Sequence, residues 1–143
     1  MQIKYSDDLN SNIYTDGLAI RKEVFVDEQS VPENMEVDEY EDRCTYVTIY
    51  EDDKAIATAR YFPTDDDGVH IQRVAVIKSS RKKGIASLLI EDIIEHTKKE
   101  NYKYAILGAQ DQAQGFYKKL GFKVIGDQYL DAGILHHDMK LDY

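Results

Sequence analysis

A mixed α/β sheet is predicted by three observations. Apolar residues alternate with a period of two over 45–51 and 55–62, with the turn signals Asp52-Asp53 and Asp66-Asp67-Gly68 closing each run. Over 84–99 they recur instead at helical spacing. That helical run lies between two strand-like runs, 69–76 and 104–107, an order that implies a crossover and a parallel pair. The 143 residues are expected to form one domain with a substantial core.

Taken in order, Ile3 and Tyr5 suggest a short first strand. Residues 11–27 read as a helix, with Ile13, Gly17, Ile20 and Val24 on one stripe. Val31-Pro32-Glu33-Asn34 ends it, because the residue before a proline is pushed out of the helical region. An acidic loop follows from Glu36 through Asp42, read as a solvated loop. Residues 45–51, 55–62 and 69–76 then make two successive hairpins, a meander. In the last of these strands Val69 and Ile71 are two apart, as are Val74 and Val76, but Ile71 to Val74 is a step of three. The phase slip near Gln72–Arg73 predicts a β-bulge. The helix over 84–99 has apolar positions that include Ile85, Leu88, Leu89, Ile93 and Ile94, and it ends on Lys98 and Lys99, cations suited to a C-terminus. Tyr104–Leu107 is a short buried strand. Asp111 is expected to cap a helix through Leu120 that Gly121 ends. Strands over about 122–126 and 134–142 close the sheet.

The charge balance narrows the function. A net charge of -9 and a pI near 4.8 argue against general binding to nucleic acid or to anionic membranes, both of which need a broad basic surface. A single cysteine, Cys44, allows no internal disulfide. The N-terminal residues lack the apolar core of a signal peptide, and no apolar run approaches the roughly 20 residues of a membrane span, so a cytoplasmic location is expected.

Against this acidic background stands Arg81-Lys82-Lys83-Gly84-Ile85-Ala86-Ser87, a basic turn between a strand and a helix. A helix start offers free backbone N–H groups and the positive end of its dipole, the combination that binds phosphate or diphosphate. The bulge just before it leaves backbone groups unpaired, to which an extended ligand can bond.

These residues resemble the GNAT superfamily of N-acetyltransferases. Its acetyl-CoA signature, Gln/Arg-x-x-Gly-x-Gly/Ala after a strand, matches Arg81-Lys-Lys-Gly84-Ile-Ala86, and Ala113-Gln-Gly-Phe-Tyr117-Lys-Lys-Leu-Gly121-Phe is similar to its second signature. The segments Arg21-Lys-Glu-Val-Phe25-Val-Asp-Glu28-Gln29, Leu107-Gly-Ala-Gln110 and Asp131-Ala-Gly-Ile-Leu-His136 resemble the ElaA-like bacterial acetyltransferases and extend the likeness over nearly the whole chain. Two positions differ: Gln110 stands where the superfamily often has Asn, and Leu135 replaces a proline usual before His136.

The resemblance implies an acyl-CoA N-acyltransferase fold, with mostly antiparallel N-terminal strands, a splayed parallel central pair and flanking helices. It implies acetyl-CoA in a V-shaped cleft, the backbone of Val74, Ala75 and Val76 pairing with the pantetheine arm, Arg81 through Ser87 holding the diphosphate, and Gln110 beside the cofactor. The acceptor would be a small-molecule amine or a peptide. Homodimers are common in proteins of this kind.

Acetyl transfer to an amine needs a neutral amine, a polarised carbonyl and a proton for the departing thiolate. A thiol has a pKa of about 8.5 and a phenol about 10, so a tyrosine within reach can supply that proton. Tyr117 is the candidate general acid, the role the resemblance gives it; a packing tyrosine is the competing reading, among 11 in the chain. An α-amino group, with pKa about 7.7–8.0, is roughly a tenth to a fifth neutral at pH 7, whereas a lysine is so in only about one molecule in a few thousand. His136, with an ordinary pKa of about 6.5, is the candidate base or substrate contact, against a histidine that only bonds backbone. Glu28 is a weaker base candidate. Phe25 and Glu28 belong to the expected substrate surface, and Arg21 and Arg73 either join it, reading an acidic substrate, or form ordinary ion pairs. His136-His137-Asp138 hints at metal, but adjacent strand residues face opposite sides, so no metal is expected. Cys44 reads as a small buried residue rather than an acyl carrier. The leading expectation is an enzyme; the alternative is an acyl-CoA-binding sensor without turnover.

Overall fold

The computed structural model describes residues 1–143. Seven strands form one sheet in the order β1-β2-β3-β4-β5-β7-β6. They are β1 Gln2–Ser6, β2 Thr45–Glu51, β3 Lys54–Pro63, β4 Gly68–Val76, β5 Tyr104–Gln110, β6 Lys123–Asp131 and β7 Ile134–Asp142. The helices are α1 Asn12–Arg21, α2 Glu33–Glu36, α3 Ile85–Lys99 and α4 Gln114–Lys119. Only β4 and β5 pair in parallel. The chain between them is α3, the crossover expected from a helix between two strand runs.

The N-terminal helix starts at Ser11, whose Oγ accepts from the Tyr14 N–H at 3.3 Å, and continues beyond Arg21 as a wider π turn over Lys22–Glu28. Thr48 and Thr58, cross-strand partners, face this helix, and the Thr48 hydroxyl donates to the Ile13 carbonyl. Tyr5 and Val47 pair on the opposite face, where the Tyr5 hydroxyl donates to Asp92 and its ring stacks on His96 of α3. The two long helices therefore cover opposite faces of the sheet. On α3 the buried residues are Ile85, Leu89, Ile90, Ile93, Ile94 and Thr97, while Leu88 stays exposed at the edge of the apolar stripe. No helix is long and apolar enough to cross a membrane.

Two expectations need correction at the C-terminal end. Asp111 does not cap α4: its carboxylate accepts from Gln128 Nε2 at 2.6 Å and Gln114 Nε2 at 3.2 Å and meets His137 Nδ1 at 2.8 Å. A 3₁₀ turn, Asp111–Ala113, precedes the helix and removes the need for a side-chain cap. The other end behaves as expected: Phe122 N–H bonds the Tyr117 carbonyl and Gly121 N–H the Lys118 carbonyl, the paired bonds of a Schellman stop. Strand β6 runs on to Asp131, past the expected 126, through a register shift between Ile125 and Tyr129.

The acidic loop is a structural anchor rather than a solvated segment. Glu36 and Glu41 are buried, as are Arg21 and Arg60. Arg21 donates to Glu36 Oε2 at 3.0 Å and to Glu41 Oε1 at 2.8 Å; Arg60 donates to Glu41 Oε2 at 2.6 Å and to Asp38 Oδ2 at 2.8 Å. Arg73 joins from β4, its Nη2 3.2 Å from Asp38. Its Nε lies 2.7 Å from Glu36 Oε2 but out of line for a hydrogen bond, which leaves that buried N–H with ion pairing alone. Three cations and three carboxylates thus tie the loop to α1, β3 and β4.

Desolvation by itself would raise the Glu41 carboxyl. The hydrogen bond and charge of Arg21, helped by the Asp38 N–H and by Arg60, outweigh it and hold the group well below the usual carboxylate range. Its folded pKa is depressed, so its stabilisation is complete above the unfolded-chain value of about 4.3 and drains away as pH falls from there toward the folded value. Removing one partner strands buried charge, so Glu41→Ala is expected to destabilise the fold by about 3–5 kcal/mol in urea unfolding at pH 7. The gap between variant and parent should narrow as pH falls below about 4. Coincident unfolding curves at pH 7 would show the cluster to be energetically neutral.

Candidate active site

The phase slip in β4 is a bulge in the folded chain. Thr58 pairs Ala75 and Arg60 pairs Gln72, so Ala59 stands opposite both Arg73 and Val74, and Arg73 takes a left-handed φ of 56°. Parallel pairing of β4 with β5 covers only Gly68–Ile71 against Tyr104–Leu107. Beyond Ile71 the strands part, and a cleft of about 540 Å³ opens between them. Val74, Ala75 and Val76 line one wall; Gly108, Ala109 and Gln110 line the other.

One end of the cleft reaches Arg81, in the turn that precedes α3. Gly84 stands at φ 76° as the N-cap residue, a conformation that disfavours any residue with a Cβ, and no side chain caps the helix. The first helical bond is Leu88 N–H to the Gly84 carbonyl at 3.1 Å, so the N–H groups of Ile85, Ala86 and Ser87 lack backbone partners. Arg81, Lys82, Lys83 and Gly84 are exposed around them. The turn thus presents unpaired N–H groups beside exposed cations. Arg81 is already engaged: Nη2 donates to Glu28 at 2.8 Å and Nε to the Val76 carbonyl at 2.9 Å.

Tyr117 and His136 meet at the same cleft. Tyr117 is held by α4 with its ring edge-on to Phe116 and Phe122. Burial alone pushes its phenol up to about 12. The His136 Nδ1 lies 2.7 Å from the Ile134 carbonyl, a contact that places the proton on Nδ1 and leaves Nε2 as an acceptor. His137, one residue on, faces the other side of the strand and bonds Asp111, so the two histidines share no site. Phe25, Glu28 and Gln29 reach the cleft from the π turn, where Gln110 Nε2 donates to Gln29 Oε1 at 2.9 Å. Arg73 borders it from the bulge.

Arg21 is corrected from the substrate surface. It is 1 % exposed, its guanidinium is committed to Glu36 and Glu41, and it does not line the cleft. Cys44 is buried away from the cleft, its thiol donating to the Tyr40 carbonyl and pushed toward the protonated form by burial.

The sequence reading missed Tyr129, which lies in the part of β6 beyond the expected strand end. Its hydroxyl donates to Asp138 at 2.7 Å and its ring stacks on His136 with centroids 5.7 Å apart. Gly108 makes this fit, since a Cβ there would fall 2.3 Å from the Tyr129 hydroxyl. A glycine inside a strand is the signal that pointed to such a close approach. His70 was also missed; it lines the cleft from β4, and burial lowers its pKa, favouring the neutral ring.

A sheet splayed beside an uncapped helix start, with a tyrosine and a histidine on the opening, matches what the resemblance implied for the acyl-CoA-dependent acyltransferase class. Comparison with known proteins makes the assignment specific. The chain matches the acetyltransferase (GNAT) domain family over residues 4–143 and belongs to that family. It is similar to the uncharacterized N-acetyltransferase YjcF of Bacillus subtilis, at 34% identity over 93% of this chain and 95% of that one. Protein ElaA of Escherichia coli is 32% identical over 85% of this chain and 82% of its own. The ElaA crystal structure superposes with a TM-score of 0.82 at 28% identity, covering 97% of this chain and 99% of that chain. A putative N-acetyltransferase from Lactobacillus plantarum superposes at 0.91 with 26% identity, covering 99% and 97%. The likeness to the ElaA-like branch read from the sequence is thereby confirmed.

If this turn holds the diphosphate, Gly84→Asp abolishes CoA binding in calorimetry, because it sets a carboxylate against the phosphate charge. Gly84→Ala, which meets no atom within 4 Å but carries the same backbone strain, should keep most of the affinity. Normal CoA affinity in folded Gly84→Asp protein would remove this turn from the binding site.

Proposed function

We propose that the protein transfers the acetyl group of acetyl-CoA to a primary amine by direct attack of the amine on the thioester. The observation that carries this reading is a single cleft bordered by Arg81 at one end and by both Tyr117 and His136. In this reading the diphosphate rests on the N–H groups of Ile85, Ala86 and Ser87, with Lys82, Lys83 and Arg81 neutralising its charge. The pantetheine arm runs along Val74, Ala75 and Val76, where the bulge and splay free backbone groups of β4, and passes Gln110. The acceptor enters past Phe25 and Arg73; Glu28, paired with Arg81, belongs to the diphosphate end instead. The apolar neighbours Val24, Val31 and Met35 suit an amine that carries an apolar segment.

The proton moves in two places. His136 Nε2 is the acceptor for the proton the amine loses, and the Nδ1–H bond to Ile134 holds the ring in the tautomer this requires. Tyr117 donates its phenolic hydrogen toward the sulfur as the carbon–sulfur bond breaks. With a pKa of about 12 the phenol is protonated at every working pH, so the acid is always loaded. Against a thiol at about 8.5, complete transfer from that phenol is uphill by roughly 5 kcal/mol at 1.36 kcal/mol per pKa unit. The same dry surroundings raise the proton affinity of the nascent thiolate, which closes part of that gap.

Tyr117→Phe is expected to lower kcat by about 10²–10⁴-fold, the usual range for a general acid, while leaving CoA affinity within about threefold. The readout is free thiol released from acetyl-CoA across a panel of primary amines. Equal turnover in the two proteins would take Tyr117 out of the mechanism. Because Tyr117 titrates near 12, any loss of rate between pH 6 and 9 should survive in the pH profile of the phenylalanine variant.

A further inference from the structure

Glu28 and Arg81 pair on the lining of the cleft, at the end assigned above to the diphosphate. Glu28 ends the π turn, in which Gln29 N–H bonds the Val24 carbonyl five residues back at 3.2 Å. π turns cluster at functional positions, and this one sets Glu28 across the cleft from Arg81. Glu28 Oε1 and Oε2 each stand 2.8 Å from Arg81 Nη2. The same guanidinium folds back to bond the Val76 carbonyl at 2.9 Å. Two groups an acyl-CoA would use are therefore occupied in this reading: Glu28 holds the cation of the turn, and Arg81 holds the Val76 carbonyl at the end of β4.

We propose that Glu28 is an internal competitor for the diphosphate subsite, holding Arg81 in the free enzyme, yielding it to acyl-CoA and reclaiming it as product CoA leaves. This rests on the reading of the Arg81–Ser87 turn as the diphosphate site. The exchange is easy in the forward direction. Both side chains are about a third exposed (37% and 31%), and ion pairs that wet are weak, whereas a diphosphate offers more charge and more acceptor oxygens than one carboxylate. Glu28 also borders a neighbouring hollow whose charged lining is Lys54 and Lys78 with Asp16 and Glu23, so its carboxylate has space to move into and two cations there to offset the two acids. In the reverse direction a carboxylate waiting beside Arg81 speeds CoA departure. Glu28 is thus a positioning residue that sets cofactor affinity and release.

The test is a double-mutant cycle read with CoA itself, by calorimetry for affinity and by stopped-flow displacement for release. Glu28→Gln should tighten CoA binding about two- to fivefold, the span of an exposed ion pair, chiefly through slower release. Arg81→Gln should weaken binding about tenfold or more, the loss of a charge-assisted contact. In the Arg81→Gln background Glu28→Gln should change nothing, and the gain in the parent should shrink as salt is raised. Unchanged or weaker CoA binding by Glu28→Gln, with Arg81→Gln still impaired, overturns the competitor alone. Unaltered affinity in Arg81→Gln overturns both the competitor and the place of Arg81 in the diphosphate site. Absence of CoA binding by the parent protein overturns the functional reading on which both stand.

Discussion

Pairing between β4 and β5 stops after four residues, and the cleft exists only because it stops. An extra residue in β4, placed at Arg73 and Val74 opposite Ala59, turns the end of the strand away from its parallel neighbour. A strand that loses its partner must either find another or leave its backbone groups for something else. Here the groups face a hollow of about 540 Å³. The same residue that breaks the register carries the guanidinium that reaches back to Glu36 and Asp38, so the irregularity is held from behind by charge.

The electrostatics divide by depth. At the core edge three arginines and three carboxylates neutralise one another, four of them buried and Asp38 and Arg73 partly so, and their value lies in geometry more than in net free energy, since buried pairs recover little beyond their own desolvation. At the surface the basic turn before α3 keeps its cations exposed in a chain of net charge -9. An incoming polyanion meets an unfavourable global field and a favourable local one, and within about a Debye length the local one governs. The two chemical groups sit between these extremes: Tyr117, dried by its aromatic neighbours, and His136, fixed by one backbone carbonyl.

Much of this was legible in the residues because it is local. The step of three from Ile71 to Val74 announced the bulge, and Gly84 after three cations announced the helix start. What was not legible depended on distance. Glu36 and Glu41 read as solvent-facing because nothing along the chain says that Arg21, Arg60 and Arg73 converge on them from 15 to 37 residues away. Arg21 offered two readings, and burial chose the ion pair. Asp111 carried an ordinary capping signal, but a 3₁₀ turn took over the start of α4 and left the carboxylate for His137. Tyr129 lay hidden behind a second register shift, and only Gly108, a strand glycine, hinted that a bulky group comes close.

The six-membered cluster of arginines and acids has a bearing on how such a chain diverges over generations. A lone replacement strands a buried ion, whereas exchanging a whole pair for apolar residues of similar size is nearly free. Positions 21, 36, 38, 41, 60 and 73 are therefore expected to drift as linked sets, with single-step intermediates filtered out before any effect on turnover is felt. Descendants that have lost the ions altogether must brace the bulge by shape alone.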